Sequence, residues 1–357
     1  MSSLVSYERF LSYYSKRYEI RFCRLDEAAK LVEFIRVHWK ADHALVCSPE
    51  LLDWQHREKE KQRYNFAVAC HKETGEFHAV LGFITTAHFD SQIQHPMLWG
   101  AIWKARQDVD EPGLGMLVEM YCLKNVPHEL TMGVGLSNDS IANFTSLHYT
   151  LGQMDQYFLL NQTMHSYCLC VPNGLGLGLR FQSTSDELVE LNEAHYLALQ
   201  GSCFDKLVSY KSRQYYVGRY FHHPIYRYRL FAICHQKDAV AVLVLRTCEY
   251  KDRRCLRIVD YIGDGSELAG NGMLFHDLLV QENAEYIDFL CYGFSKEGLE
   301  SCGFLNSIGT SAIIPNYYEP FVQSTTRVMF HFPPEAPNKP CFVVKGDADQ
   351  DRPNIIL

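Results

Sequence analysis

The chain has 357 residues, enough for two domains of ordinary size. With 47% apolar and 21% charged residues it can bury real cores, which excludes a disordered polymer. Its net charge of -8 disfavours a duplex nucleic-acid binder, because such proteins carry a basic surface. No apolar run approaches the ~18 residues of a membrane span, and no signal-like leader opens the chain, so a cytoplasmic protein without membrane insertion is expected. The 13 Cys are odd in number and form no Cys-x-x-Cys pair, which reads as reduced thiols. The 16 His show no metal-ligand spacing, so no metal is expected.

Taken in order, Tyr18 to Phe22 reads as a strand and Asp26 to Val37 as an amphipathic helix. Ser48-Pro49 opens another helix, with Ser48 as cap. In the loop before it, Lys40 and His43 are hard to place in a core and so are candidates to face a ligand. Asn65 to Cys70 and Phe77 to Thr86 form a hairpin around a Gly-containing turn. Leu98 to Trp103 is an aromatic strand, followed by the turn Asp110-Glu111-Pro112-Gly113-Leu114-Gly115. A helix from Met116 to Lys124, a strand from Leu130 to Leu136 and a helix from Asn138 to Leu151 come next. Gln156 to Leu160 closes this unit.

The same order then returns. A strand (Leu177 to Phe181), a helix from Ser183 to about Leu199, and a hairpin (Arg227 to Cys234, Ala239 to Leu245) are expected. A strand (Leu256 to Ile262), a helix around Met273 to Val280, a strand (Tyr286 to Leu290) and a short helix (Lys296 to Ser301) follow. The chain therefore reads as an internal duplication with a boundary near residues 162–175, giving domains 1–165 and 166–357. The fold class is α/β, each copy a mixed, mostly antiparallel sheet flanked by helices. Cys341 to Val344 reads as a last strand, before a polar tail from Lys345 to Asn354.

A Gly-x-Gly turn at a helix start offers backbone N–H groups to a phosphate, and Gly113 and Gly115 let the backbone come close. The second copy has Gly263-Asp264-Gly265-Ser266-Glu267 there, whose acids would repel a diphosphate. The first copy is thus the expected anion site.

From Leu98 to Gly152 the chain resembles motif A and the following segment of the GNAT acyl-CoA transferases, with Asp110 where Gln or Arg is usual. Over most of its length it is similar to tandem GNAT-type nucleotide-sugar N-acyltransferases of bacterial O-antigen biosynthesis. That resemblance implies transfer of a 3-hydroxybutanoyl or acetyl group from coenzyme A to the amine of a dTDP-linked 3-amino-3,6-dideoxyhexose. It implies a coenzyme A site over Trp99, Ala101, Ile102 and Trp103, with Gly113, Leu114, Gly115 and Met116 holding the pyrophosphate. The chemistry needs a proton for the thiolate, for which Tyr149 or His148 is a candidate, and a base for the amine, for which His43, Asp260 and Asp264 are candidates with a water relay as an equal option. Lys40 and the tail residues Lys345, Asp349, Gln350, Arg352 and Asn354 become candidates for the nucleotide sugar. A homo-oligomer is admitted. Two other readings compete: a tandem pair that binds without chemistry, and an aminoacyl transferase, which the -8 charge disfavours through its need for tRNA.

Overall fold

The computed structural model describes residues 2–175, 178, 181, 183–316, 322–333 and 342–351. The chain forms two compact units, one containing Met1–Val134 and the other Gly135–Asp351.

In the first unit, helix α1 (Ser2–Tyr14) precedes strand β1 (Tyr18–Arg24) and helix α2 (Ala28–His38). Helices α3 (Ala44–Cys47) and α4 (Pro49–His56) lead to the short β2 (Arg57–Glu58), β3 (Arg63–His71) and β4 (Phe77–Thr85). Strand β5 (Met97–Ala105), helix α5 (Leu114–Asn125) and strand β6 (Leu130–Val134) complete it. Helix α4 starts where the sequence indicates: the Ser48 hydroxyl accepts the Leu51 N–H, with Pro49 in the first turn. The strands run β1-β3-β4-β5-β6, all antiparallel except β5 and β6. That last pair is parallel because α5 carries the chain back between them. Leu114, Leu117, Val118 and Cys122 recur at helical spacing on α5 and pack with Ala67, Leu81 and Phe83. Each buried Leu or Val there contributes about 1.5–3 kcal/mol.

The second unit repeats the scheme. Helix α6 (Asn138–Ser146), β7 (Thr150–Gln153) and β8 (Asp155–Leu160) come first, then β9 (Glu187–Leu191), α7 (Glu193–Ala198) and α8 (Arg213–Tyr216). Strands β10 (Tyr228–His235), β11 (Asp238–Tyr250) and β12 (Arg253–Gly263) lead through α9 (Gly272–Gln281) to β13 (Ala284–Tyr292). Helix α10 (Lys296–Ser301), β14 (Leu305–Asn306), β15 (Met329–Phe332) and β16 (Val343–Val344) follow. The sheet order is β9-β10-β11-β12-β13-β8-β14, with β12 and β13 its parallel pair. Its core joins Phe231, Leu243 and Ile258 to Phe275 and Leu279 of α9.

Two expectations change. The helix expected from Asn138 to Leu151 stops at Ser146, and Thr150–Gln153 pairs with Met329–Phe332 instead. The helix expected from Ser183 begins only at Glu193, because Glu187–Leu191 pairs with β10. The compact units change over at Val134/Gly135, and β8 pairs with β13 within the second. The expected strand Leu177 to Phe181 lies mainly outside the described residues. Among the described residues no helix is long and apolar enough to cross a membrane.

Candidate functional site

The site is built on a gap in the first sheet. Strands β5 and β6 pair in parallel from Met97↔Leu130 to Gly100↔Gly133. There β5 carries an extra residue: Phe83 faces Gly100 but Leu81 faces Trp103, so Ala101-Ile102 form a bulge. Beyond it β5 runs on to Ala105 without β6, so its backbone has no strand partner on that side among the described residues. Unpaired strand N–H and C=O groups are strong hydrogen-bonding sites for an extended ligand. A Cβ at Gly100 would meet nothing within 4 Å, so there is room beside the strand. Trp99 and Ile102 are buried and support it, while Ala101 and Trp103 are partly exposed.

β5 delivers the chain to the Gly-x-Gly turn. Gly113 caps α5 with φ 92°, a conformation that excludes most side chains. The Trp103 Nε1–H donates to the Gly115 carbonyl at 2.9 Å, clamping strand to helix. The first α5 amides, at Gly115 and Met116, point out of the helix start, where a preceding turn is missing.

The second sheet has the same gap, and it is filled. β12 and β13 pair up to Ile258↔Phe289, and a bulge at Val259 follows, between Ile258↔Leu245 and Asp260↔Val244. Into the gap comes the C-terminal segment. Val343 and Val344 pair with Tyr292 and Cys291, and the Gly346 N–H donates to the Val259 carbonyl at 2.6 Å. A Cβ on Gly346 would stand 2.3 Å from the Tyr220 hydroxyl, so only glycine fits. Buried charges lock the segment. Lys211 bonds both Asp260 oxygens at 3.0 and 2.9 Å and Asp347 at 2.8 Å. Burial works against its charge, but the two carboxylates prevail and hold its pKa well above the ordinary value. Arg246 pairs with both oxygens of Asp351, and Arg219 donates to the Gly346 and Ala348 carbonyls.

The fold has a counterpart among solved structures. A GCN5-related N-acetyltransferase from Anabaena variabilis is similar at a TM-score of 0.52 and 10% identity, over 88% of this chain and 72% of that one. The chain has the GNAT fold. Saccharomyces cerevisiae N-myristoyltransferase, solved with bound myristoyl-CoA, is similar at a TM-score of 0.47 and 10% identity, over 96% of this chain and 85% of that one. A GCN5-related N-acetyltransferase from Sphaerobacter thermophilus has a TM-score of 0.44 and 11% identity, over 88% and 95%. No family model matches the sequence, and no curated protein sequence does.

Within this GNAT fold the expected coenzyme A residues, Trp99 to Trp103 and Gly113 to Met116, come together in the first unit. Asp110, at the position where the family usually has Gln or Arg, is exposed. Tyr149 and His148 belong to the second unit, after α6. His148 is exposed at φ 59°, and the Tyr149 ring lies against Phe144 and His331. Burial pulls the His331 pKa down to about 3, so that imidazole is neutral.

The candidate bases differ in setting. Asp260 is buried and fully engaged by Lys211 and the Tyr220 hydroxyl. Asp264 caps a short turn by accepting the Ser266 N–H, and that bond lowers its pKa. His43 is buried and accepts the Leu45 N–H at the start of α3, while Lys40 reaches Asp42 at 3.5 Å. Of the tail candidates, Lys345, Asp349 and Gln350 are buried inside the second unit. Lys345 donates to the Asn316 and Gln350 carbonyls, and burial, then nearby Arg257, brings its pKa to about 7. Arg352 and Asn354 lie outside the described residues.

Sequence reasoning missed Glu119. It sits one helical turn after Gly115 on α5, on the same face, and Gly115 is the residue that packs on Trp103 and Ala105. Glu119 is 9% exposed, and burial pushes its carboxyl up to about 7 with no charged partner opposing it. Its one sequence signal was an acid inside an apolar helical run. Among the described residues no cluster of three or more His, Cys, Asp and Glu could hold a metal.

Proposed function

We propose that the chain is an acyl-CoA-dependent N-acyltransferase whose acyl-CoA site is the β5/β6 gap of the first unit. The observation that carries this reading is the bulged, unpaired end of β5 delivering the chain to the Gly-x-Gly start of α5. An extended thioester can pair with the free β5 backbone, and its pyrophosphate can meet the α5 amides. The acceptor is an amine, attacking the thioester carbonyl in its neutral form. A β5 backbone N–H stabilises the oxyanion, and the departing thiolate carries the electron pair. Glu119 is our candidate to take the amine proton, since a carboxyl near pH 7 is matched to that task. Tyr149 remains the candidate donor to the thiolate. The GNAT fold supports the cofactor class.

The finer reading takes the acceptor to be a dTDP-linked 3-amino-3,6-dideoxyhexose, acylated with 3-hydroxybutanoyl or acetyl in the cytoplasm for surface polysaccharide. Its support is the sequence resemblance. The test is thiol release from acetyl-CoA and 3-hydroxybutanoyl-CoA with a panel of dTDP- and UDP-linked amino sugars, products checked by mass. Release that requires both partners is expected. Acyl-CoA binding without release from any pair would favour a binding module instead.

A further inference from the structure

Helix α1 touches the glycine turn along one side. The Tyr14 hydroxyl donates to the Pro112 carbonyl at 2.6 Å, and Arg17 makes a two-bond ion pair with Glu111. The Phe10 ring lies 2.7 Å from where a Cβ would stand on Gly113. The adjoining side of α1 is different. Arg9, Ser12 and Tyr13, with Lys16 and Arg17 from the turn that follows, line a shallow cavity of about 550 Å³. Among the described residues no carboxylate lines it, although the chain as a whole is acidic. Arg9 and Lys16 are exposed and have no ion-pair partner among the described residues. Tyr13 shows 64% of its surface to solvent, with the Arg17 guanidinium 5.5 Å from its ring centre.

An open aromatic ring beside Arg9 and Lys16 suits a ligand with a flat base and a phosphate. The geometry points to this cavity as the seat of the 3′-phosphoadenosine end of coenzyme A. Tyr13 stacks on the adenine, and Arg9 and Lys16 hold the 3′-phosphate. The inference rests on the acyl-CoA reading above, and it extends the site from the turn onto α1. Phe10 meets Gly113 and Arg9 precedes Phe10 on α1, so the cavity is carried by the same helix that touches the turn. A nucleotide sugar could supply a base and phosphates too, but it lacks the 3′-phosphate, so that group separates the two sources.

Calorimetric titration of the full chain with coenzyme A, dephospho-coenzyme A and dTDP tests this. The expected result is coenzyme A binding roughly tenfold tighter than its dephospho form, the size of one or two charge-assisted contacts. In the double variant Arg9→Ala/Lys16→Ala that gap closes while affinity for the dephospho form stays the same. Both side chains are exposed, so the fold is expected to survive. Equal wild-type affinity for the two forms overturns the inference and leaves the acyl-CoA reading standing. So does a gap that persists in the double variant, or a variant that loses dTDP affinity instead. Binding of neither form overturns both.

Discussion

The molecule contains the same sheet gap twice, and the two copies have opposite contents. In the first unit β5 has no strand partner on the β6 side beyond Gly100↔Gly133 among the described residues. In the second the equivalent bulge residue, Val259, accepts a bond from the chain's own Gly346. A splayed parallel pair leaves strand hydrogen-bonding groups exposed, and these must be satisfied by something. A ligand satisfies them transiently, whereas a polypeptide segment does so permanently. The filled copy therefore shows what kind of partner fits a gap of this shape, an extended chain with alternating donors and acceptors, and that is the partner we propose for the open copy. It also divides the roles, since the second copy has a stability function where the first has space.

Breaking the filled copy should give the largest effect. Lys211→Met leaves Asp260 and Asp347 buried without their cation. Removing one member of a buried pair costs about 3–5 kcal/mol. Denaturant unfolding should show that loss, with acyl-CoA affinity of the surviving folded protein unchanged. A large fall in that affinity without a stability loss would reverse the assignment of the two gaps.

In the open copy the corresponding lesion is chemical. Glu119→Gln should lower turnover by about 100-fold or more, the scale of a lost general base. The rising limb of the pH–rate profile near pH 7 should flatten with it. Stability moves the other way. The folded carboxyl keeps a proton between its ordinary 4.5 and about 7, so the wild type loses stability as pH rises through that window. The Gln variant should therefore be the more stable of the two above pH 7. A variant with wild-type turnover would remove Glu119 from the chemistry.

A smaller effect should follow at the turn. Gly115→Trp adds bulk where even a Cβ would stand 3.5 Å from Trp103 Nε1. Acyl-CoA affinity should fall roughly tenfold or more, from overpacking and a blocked approach. Unchanged affinity would sink the pyrophosphate assignment.

How much of this the sequence reveals depends on whether the cause is local. Ser48-Pro49, the hairpin around Gly75 and the glycine turn before α5 were legible, because caps and turns are set by neighbouring residues. Glu119 was not, since an acid in an apolar helix reads as its solvent side. The segment Lys345–Asp351 reads as a polar tail, yet its charges are buried against Lys211, Arg219 and Arg246 far back in the chain. β7 was hidden for the same reason, as its partner is β15. Helix α1 went unread too, although it holds the glycine turn in place.

The smallest expected effect concerns Tyr149. It would protonate the coenzyme A thiolate, yet a thiol of pKa about 8.5 leaves without much help near neutral pH. Tyr149→Phe keeps the ring that packs on Phe144 and beside His331, and removes only the hydroxyl. Turnover should drop by less than the ~100-fold of an essential general acid. The loss should deepen as pH falls, because the free thiolate is then harder to form without a donor. Measuring turnover of the Phe variant from pH 6 to 9 separates the two roles. A uniform loss across that range would mean that the hydroxyl positions substrate, while a loss confined to low pH would make it the donor.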